Sequence, residues 1–162
     1  MTDLVLGYLS IAGALGLGLV AGVFMGFSDF IMRSLRDTAD RAAGIDAMQA
    51  INRRILPSVF ILLFLGFVPA LIGLAVLAQS SASPAAGWIF AAAVIYVSSV
   101  FGVTLVRNVP MNNRLAAVDA ASLEGERYWA LYLSHWTRWN HVRTAGSGAC
   151  AACLMMAAAI LL

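Results

Sequence analysis

The chain has 162 residues, 62% of them hydrophobic and 11% charged, with a formal net charge of +2. A mean hydropathy of +0.88 is too high for an ordinary soluble domain, which is roughly half apolar. So small a positive balance, with no basic patch beside a recognition motif, excludes a nucleic-acid binder.

The apolar residues gather into runs long enough to cross a bilayer. Span one runs from about Leu4 to Phe30. At about 1.5 Å rise per residue, even the part ending at Phe27 crosses a hydrocarbon core of ~30 Å. The residue before the run is Asp3, where a cleavable signal would carry positive charge, so the run is expected to remain as a helix. Within it Ser10, Ala14, Gly18, Gly22 and Gly26 recur at every fourth position. Such a ridge lets a second backbone approach closely, either another span of this chain or a second copy in a homo-oligomer.

The connection that follows carries Arg33, Arg36, Arg41, Arg53 and Arg54, with Gln49 and Asn52 among them. Asp29 precedes Arg33 by one helical turn, and the acid-then-base order predicts an ion pair unless Asp29 turns into the bundle. Span two runs from about Ile55 to Ala78; Pro57 suits its first turn and Pro69 is expected to bend it. The connection Gln79–Ala85 is short and uncharged. Span three runs from about Ala86 to Val106, after which Pro110 is expected to end or bend the helix. Tyr128 to Arg143 lacks Pro and Gly and reads as helix, an interfacial helix at about 128–141 leading into span four at about 142–162. Cys150 and Cys153 lie inside span four and read as packing residues, since C-x-x-C within a span is weak evidence for redox chemistry.

Every basic residue is arginine, and all lie in or beside the first and third connections. The positive-inside rule places both connections in the cytoplasm and both termini outside. The fold expected is therefore all-α: one integral membrane four-helix bundle over residues 1–162, multi-pass in the plasma membrane, with two polar connections on the cytoplasmic side.

The polar residues of that face carry the functional signal. On the last helix Trp129, Trp136, Asn140 and Arg143 share a face, with His135 and Trp139 on the neighbouring one. Trp129, Tyr132, Trp136 and Trp139 also fit an interfacial aromatic belt or simple packing. Asn52, Asn108, Asn112 and Asn140 need hydrogen-bond partners if they point inward; they either brace the two connections or bind a ligand. His135 and His141 stand about 240° apart round a helix and cannot share a metal. With no other histidine, a histidine-rich metal site is excluded, which leaves single axial ligation of a haem open.

The segments GVFMGFSDF (Gly22–Phe30), MQAIN (Met48–Asn52), NVPMNNRL (Asn108–Leu115) and WTRWNHVR (Trp136–Arg143) resemble, in order and spacing, the DUF1772 or anthrone oxygenase-like family of small four-span membrane proteins. The resemblance implies oxidation of an anthrone-like or other phenolic polycyclic substrate by O₂ to a quinone, with no metal or flavin. That chemistry needs a base, an oxyanion stabiliser and a seat for a flat ring. His135 is the first candidate for the base, because its unperturbed pKa lies near neutrality, and Asp29 the second if burial raises its pKa. Arg143, with Asn140 or Asn112, is the candidate stabiliser of the enolate oxygen, and Trp136 and Trp139 the stacking surface. Asn52 and Asn108 complete the candidate binding set, and a hydrophobic aromatic small molecule in the bilayer is the implied partner. Three other classes compete: a non-enzymatic membrane protein that binds a small molecule or assists assembly, a transporter, for which four spans are few without oligomerisation, and a haem-dependent redox protein.

Overall fold

A computed structural model describes residues 1–38 and 40–162, and within them the chain is all-helical. Helix α1 spans Thr2–Arg36, α2 spans Arg41–Ile55, α3 spans Val59–Ser80, α4 spans Ala86–Ala117 and α5 spans Leu123–Leu161. All except α2 are long and apolar enough to cross a membrane. Their outward faces carry Leu15, Leu19, Leu62, Leu65, Ile72 and Val76, all exposed. A contiguous apolar exterior of that kind is stable only where lipid replaces water.

Two cores stack along the bundle. The larger lies between the spans and contains Leu6, Leu17, Phe24, Phe64, Leu71, Ile89, Tyr96 and Leu154. The smaller is built where α2 folds over the ends of α1, α4 and α5; it holds Met32, Ile45, Met48, Leu115, Tyr128, Trp129, Tyr132 and Trp136. Both arginine-bearing connections therefore cap the same end of the bundle. Gln49 Nε2 ties them together by donating to Leu115 O at 2.9 Å and Val118 O at 3.1 Å. Arg41 pairs with Glu126 across the same seam.

The caps explain the helix starts. Asp40 accepts from Ala42 N at 3.0 Å and Ser58 from Ile61 N at 3.4 Å; Ser122 accepts from Gly125 N at 2.9 Å. Gly44 and Gly125 sit where a helix start folds against the preceding carbonyl: a Cβ at either would collide with Leu35 O or Asp119 O.

Some local expectations hold and others change. Pro57 lies just before the Ser58 cap rather than in the first turn of α3. Pro69 is accommodated inside α3, and Tyr96 Oη donates to the neighbouring Phe64 O at 2.7 Å. Pro110 does not end α4. The turns at Thr104–Asn108, immediately before it, widen to π-helical winding and relieve the clash its ring would make four residues back. The last helix is continuous, so the interfacial segment and span four are one rod. Trp129, Tyr132 and Trp136 are buried in the smaller core and do not form a lipid-facing belt.

The small-residue ridge of α1 is only half used. Ser10 and Ala14 are buried, but Gly18 and Gly22 are exposed, and a Cβ on either would meet nothing within 4 Å. A spacing of four residues drifts about 40° per step, which turns the later positions away from the neighbouring span. The close approaches fall elsewhere: a Cβ on Gly13 would lie 2.7 Å from Leu154 Cδ1 of α5, and one on Gly16 would lie 2.6 Å from Phe67 Cζ of α3. Cys150 and Cys153 are free and buried, and Cys150 Sγ donates to Ala92 O at 3.2 Å.

Candidate functional site

Where the two cores meet, α1, α2, α3, α4 and α5 enclose a half-open cavity of about 290 Å³. Its walls are mostly apolar and aromatic, including Phe24, Phe27, Phe60, Phe64 and Trp136. Polar groups enter from Gln49, Asn52, Arg53, Thr104, Asn112, Asn113 and Arg143. A shaped apolar hole with a few convergent polar groups is the usual form of a small-molecule site.

Arg143 dominates it. The residue is 5% exposed, and among the described residues no carboxylate pairs with it; the ion pairs there join Arg36 to Asp37 and Arg41 to Glu126. Its Nη2 donates to Asn140 Oδ1 at 2.5 Å and its Nη1 to Thr104 Oγ1 at 3.3 Å, while Nε is buried without a partner. The guanidinium lies 4.3 Å from the Phe24 ring centroid and 5.1 Å from that of Trp136. Ring faces recover about 0.5–2 kcal/mol each for a desolvated cation, whereas burying an unpaired charge costs several kcal/mol. An anion brought into the cavity would supply the missing term.

Asn140 holds that arginine in place. Its Nδ2 donates to Phe24 O at 2.5 Å and Ser28 Oγ at 2.6 Å, leaving Oδ1 for Arg143. Ser28 lies in a π-helical turn of α1, Phe27–Ile31, and Thr104 begins another in α4. Both wide turns thus aim a hydroxyl at the Asn140–Arg143 pair, the kind of use to which π-bulges are often put. One turn nearer the cap, Asn112 Oδ1 accepts from Tyr132 Oη and Trp136 Nε1, each at 2.8 Å. Trp129, Tyr132 and Trp136 form a stacked column with ring centroids 5.6 Å and 5.9 Å apart, which stiffens the wall.

Of the residues expected to form a site, Asn52, Asn112, Trp136 and Arg143 line the cavity together. Asn140 lies behind Arg143 as its support. Asn108 is buried and donates to Trp136 O at 3.3 Å, so it braces α4 against α5 outside the cavity wall. Trp139 is half-buried beneath the Arg107 guanidinium, 4.8 Å from its centroid, and is not part of the lining. His135 is exposed, with Nδ1 3.0 Å from Leu131 O. Asp29 is exposed and does not pair with Arg33. Neither His135 nor Asp29 lines the cavity.

Ser28, Thr104 and Phe24 escaped the sequence reading. Thr104 had a signal: it is a polar residue in an apolar span, one turn before Asn108 on the same face. Among the described residues, no group of three or more His, Cys, Asp or Glu is placed to hold a metal ion. Both histidines are exposed on α5.

The family described as Anthrone oxygenase matches residues 46–153, about two thirds of the chain. The chain belongs to that family. No curated protein and no solved structure matches it. The matched stretch contains Asn52, Asn112, Trp136, Asn140 and Arg143; α1, which lies before it, contributes Phe24, Phe27 and Ser28 to the same site.

Proposed function

We propose that the protein is a membrane-embedded oxygenase that converts an anthrone-like or related phenolic polycyclic ring to its quinone with O₂. The observation that supports this most is Arg143: a buried cation without a carboxylate, at the wall of an aromatic-lined cavity. A flat ring with an ionised oxygen satisfies both features at once.

The reaction follows from the substrate's own acidity. Loss of a proton from the ring methylene gives an enolate, whose negative oxygen is held by the Arg143 guanidinium. Fixed donors in a dry site stabilise such charge far better than water does, typically by about 2.7–4 kcal/mol per donor. The electron-rich carbon then reacts with O₂: the carbon is oxidised, O₂ is reduced, and loss of water from the hydroperoxide leaves the second carbonyl. The proton leaves to water at the cavity mouth, because no carboxylate or imidazole lines the wall among the described residues. Asn140 and Thr104 keep the guanidinium aimed, and Trp136, Phe24 and Phe27 cover the ring.

The arginine-rich cap faces the cytoplasm in this reading, with both termini on the other side of the plasma membrane, as the positive-inside rule requires. Apolar substrate would enter from the bilayer at the level of the smaller core. Purified protein in detergent, given an anthrone under O₂, should form the quinone well above the rate in detergent buffer. A rate equal to buffer across several phenolic tricycles would overturn the proposal.

A further inference from the structure

The cavity has a second polar pole that the enolate does not use. Asn112 Oδ1 is occupied by two donors, Tyr132 Oη and Trp136 Nε1. An indole N–H can only donate, so the amide orientation is fixed and Nδ2 must point away from both. Asn112 lines the cavity, and its Nδ2 has no hydrogen-bond partner among the described residues. Asn52 lines the same wall against the Tyr132 oxygen, whose proton goes to Asn112; its buried Nδ2 lies outside hydrogen-bond distance of that oxygen and has no other acceptor among the described residues. A buried amide donor without a partner costs about 1–3 kcal/mol, and Asn52 Nδ2 is one; with the half-buried Asn112 amide on the same wall, it marks a place for an acceptor.

Trp136 fixes where this pole lies relative to the first. Its ring lies beneath Arg143, and its Nε1 edge reaches Asn112. Both poles therefore lie against the Trp136 indole, one over its ring and one at its Nε1 edge.

We infer that Asn52 and Asn112 form a donor pair for a second oxygen of the ring system, the one the reaction installs across the ring from the oxygen held by Arg143. This rests on the oxygenase reading above. When the enolate carbon bonds to O₂, the O=O bond order falls from two to one and the ring gives up an electron pair. The terminal oxygen of the new peroxide carries the negative charge until water returns a proton. The amide N–H groups of Asn52 and Asn112 stabilise the charge as it develops. They contact nothing comparable in the starting anthrone, which has a CH₂ there, so their contribution falls on the transition state.

Two variants isolate the donors. Asn112→Asp keeps an acceptor oxygen for Tyr132 and Trp136 and replaces the N–H₂. Asn52→Leu removes the other donor at similar volume. Binding is read by quenching of tryptophan fluorescence, with anthrone under strict anaerobiosis as the one-oxygen ring and anthraquinone as the two-oxygen ring. Wild type should prefer anthraquinone by about tenfold, as expected for two neutral hydrogen bonds, and each variant should lose most of that preference while still binding anthrone. Turnover of anthrone under O₂ should fall by roughly 100-fold in Asn112→Asp, the usual cost of a lost oxyanion donor. Equal affinity of wild type for the two rings would overturn the donor pair and leave the oxygenase reading standing. So would a variant that loses both rings alike, since the asparagine would then be structural. Failure of wild type to bind either ring would remove both proposals.

Discussion

Asn140 is the residue on which the geometry of the site turns. Each side-chain polar atom is used, two bonds going to α1 and one to Arg143. Asn140→Leu should therefore destabilise the protein by about 1–3 kcal/mol, because the buried Ser28 and guanidinium groups lose their partner. A thermal melt in detergent reads this directly, and an unchanged midpoint would mean that Asn140 is not the brace described. His135 gives the opposite expectation. It is exposed and bonded to its own helix, so His135→Ala should leave quinone formation within about twofold of wild type. A loss greater than tenfold would bring the imidazole back as the base. The face shared by Trp129, Trp136, Asn140 and Arg143 was legible in the sequence, because α5 is continuous there and helix arithmetic holds. The roles of the asparagines were not. Whether an amide braces, positions or binds depends on which of its atoms is already occupied, and spacing carries no trace of that.

At the scale of elements, the spans were legible because a hydrocarbon solvent demands long apolar runs and forbids unpaired backbone. Their ends and faces were less so. Widened turns in α1 and α4 shift the register of every side chain beyond them, and nothing in FSDF or TLVRN announces a π-helix. The α1 ridge is used within the chain only at Ser10 and Ala14: a pattern of small residues does not show which of them meets a neighbouring span. The glycines separate two predictions. Gly146 packs against α4, where a Cβ would collide with Ser99 Oγ and crowd Val100. Gly146→Leu should cost about 1–3 kcal/mol by overpacking. Gly22→Leu, with open space beside it, should leave the unfolding midpoint of the monomer unchanged. Equal destabilisation by both would contradict the packing of α1 and α4 around α5.

For the whole molecule, the decisive feature is that both arginine-rich connections close one end of the bundle. Gln49 and the Arg41–Glu126 pair join them, and the smaller aromatic core lies beneath. Composition alone pointed to this arrangement, since every arginine lies in or beside just two connections. The cavity followed less directly: it exists because α2 leans over the bundle, which no hydropathy pattern could show. Cysteines introduced at Arg41 and Arg127 should be labelled from the same side of sealed vesicles by an impermeant reagent, and reactivity from opposite sides would break the cap.

On the proposed reading, Arg143 stands ready for an anionic oxygen rather than for the fold. Arg143→Met relieves the cost of burying an unpaired cation, several kcal/mol, and leaves Asn140 Oδ1 without its donor at a cost of about 1–3 kcal/mol, so the two effects on folding oppose each other. Arg143→Met and wild type can therefore be compared directly in the rate of quinone formation from an anthrone under O₂, with the thermal midpoint as control. Arg143→Met should lose about 100-fold or more of the rate with the midpoint little changed; undiminished turnover would show that the guanidinium holds no anionic oxygen.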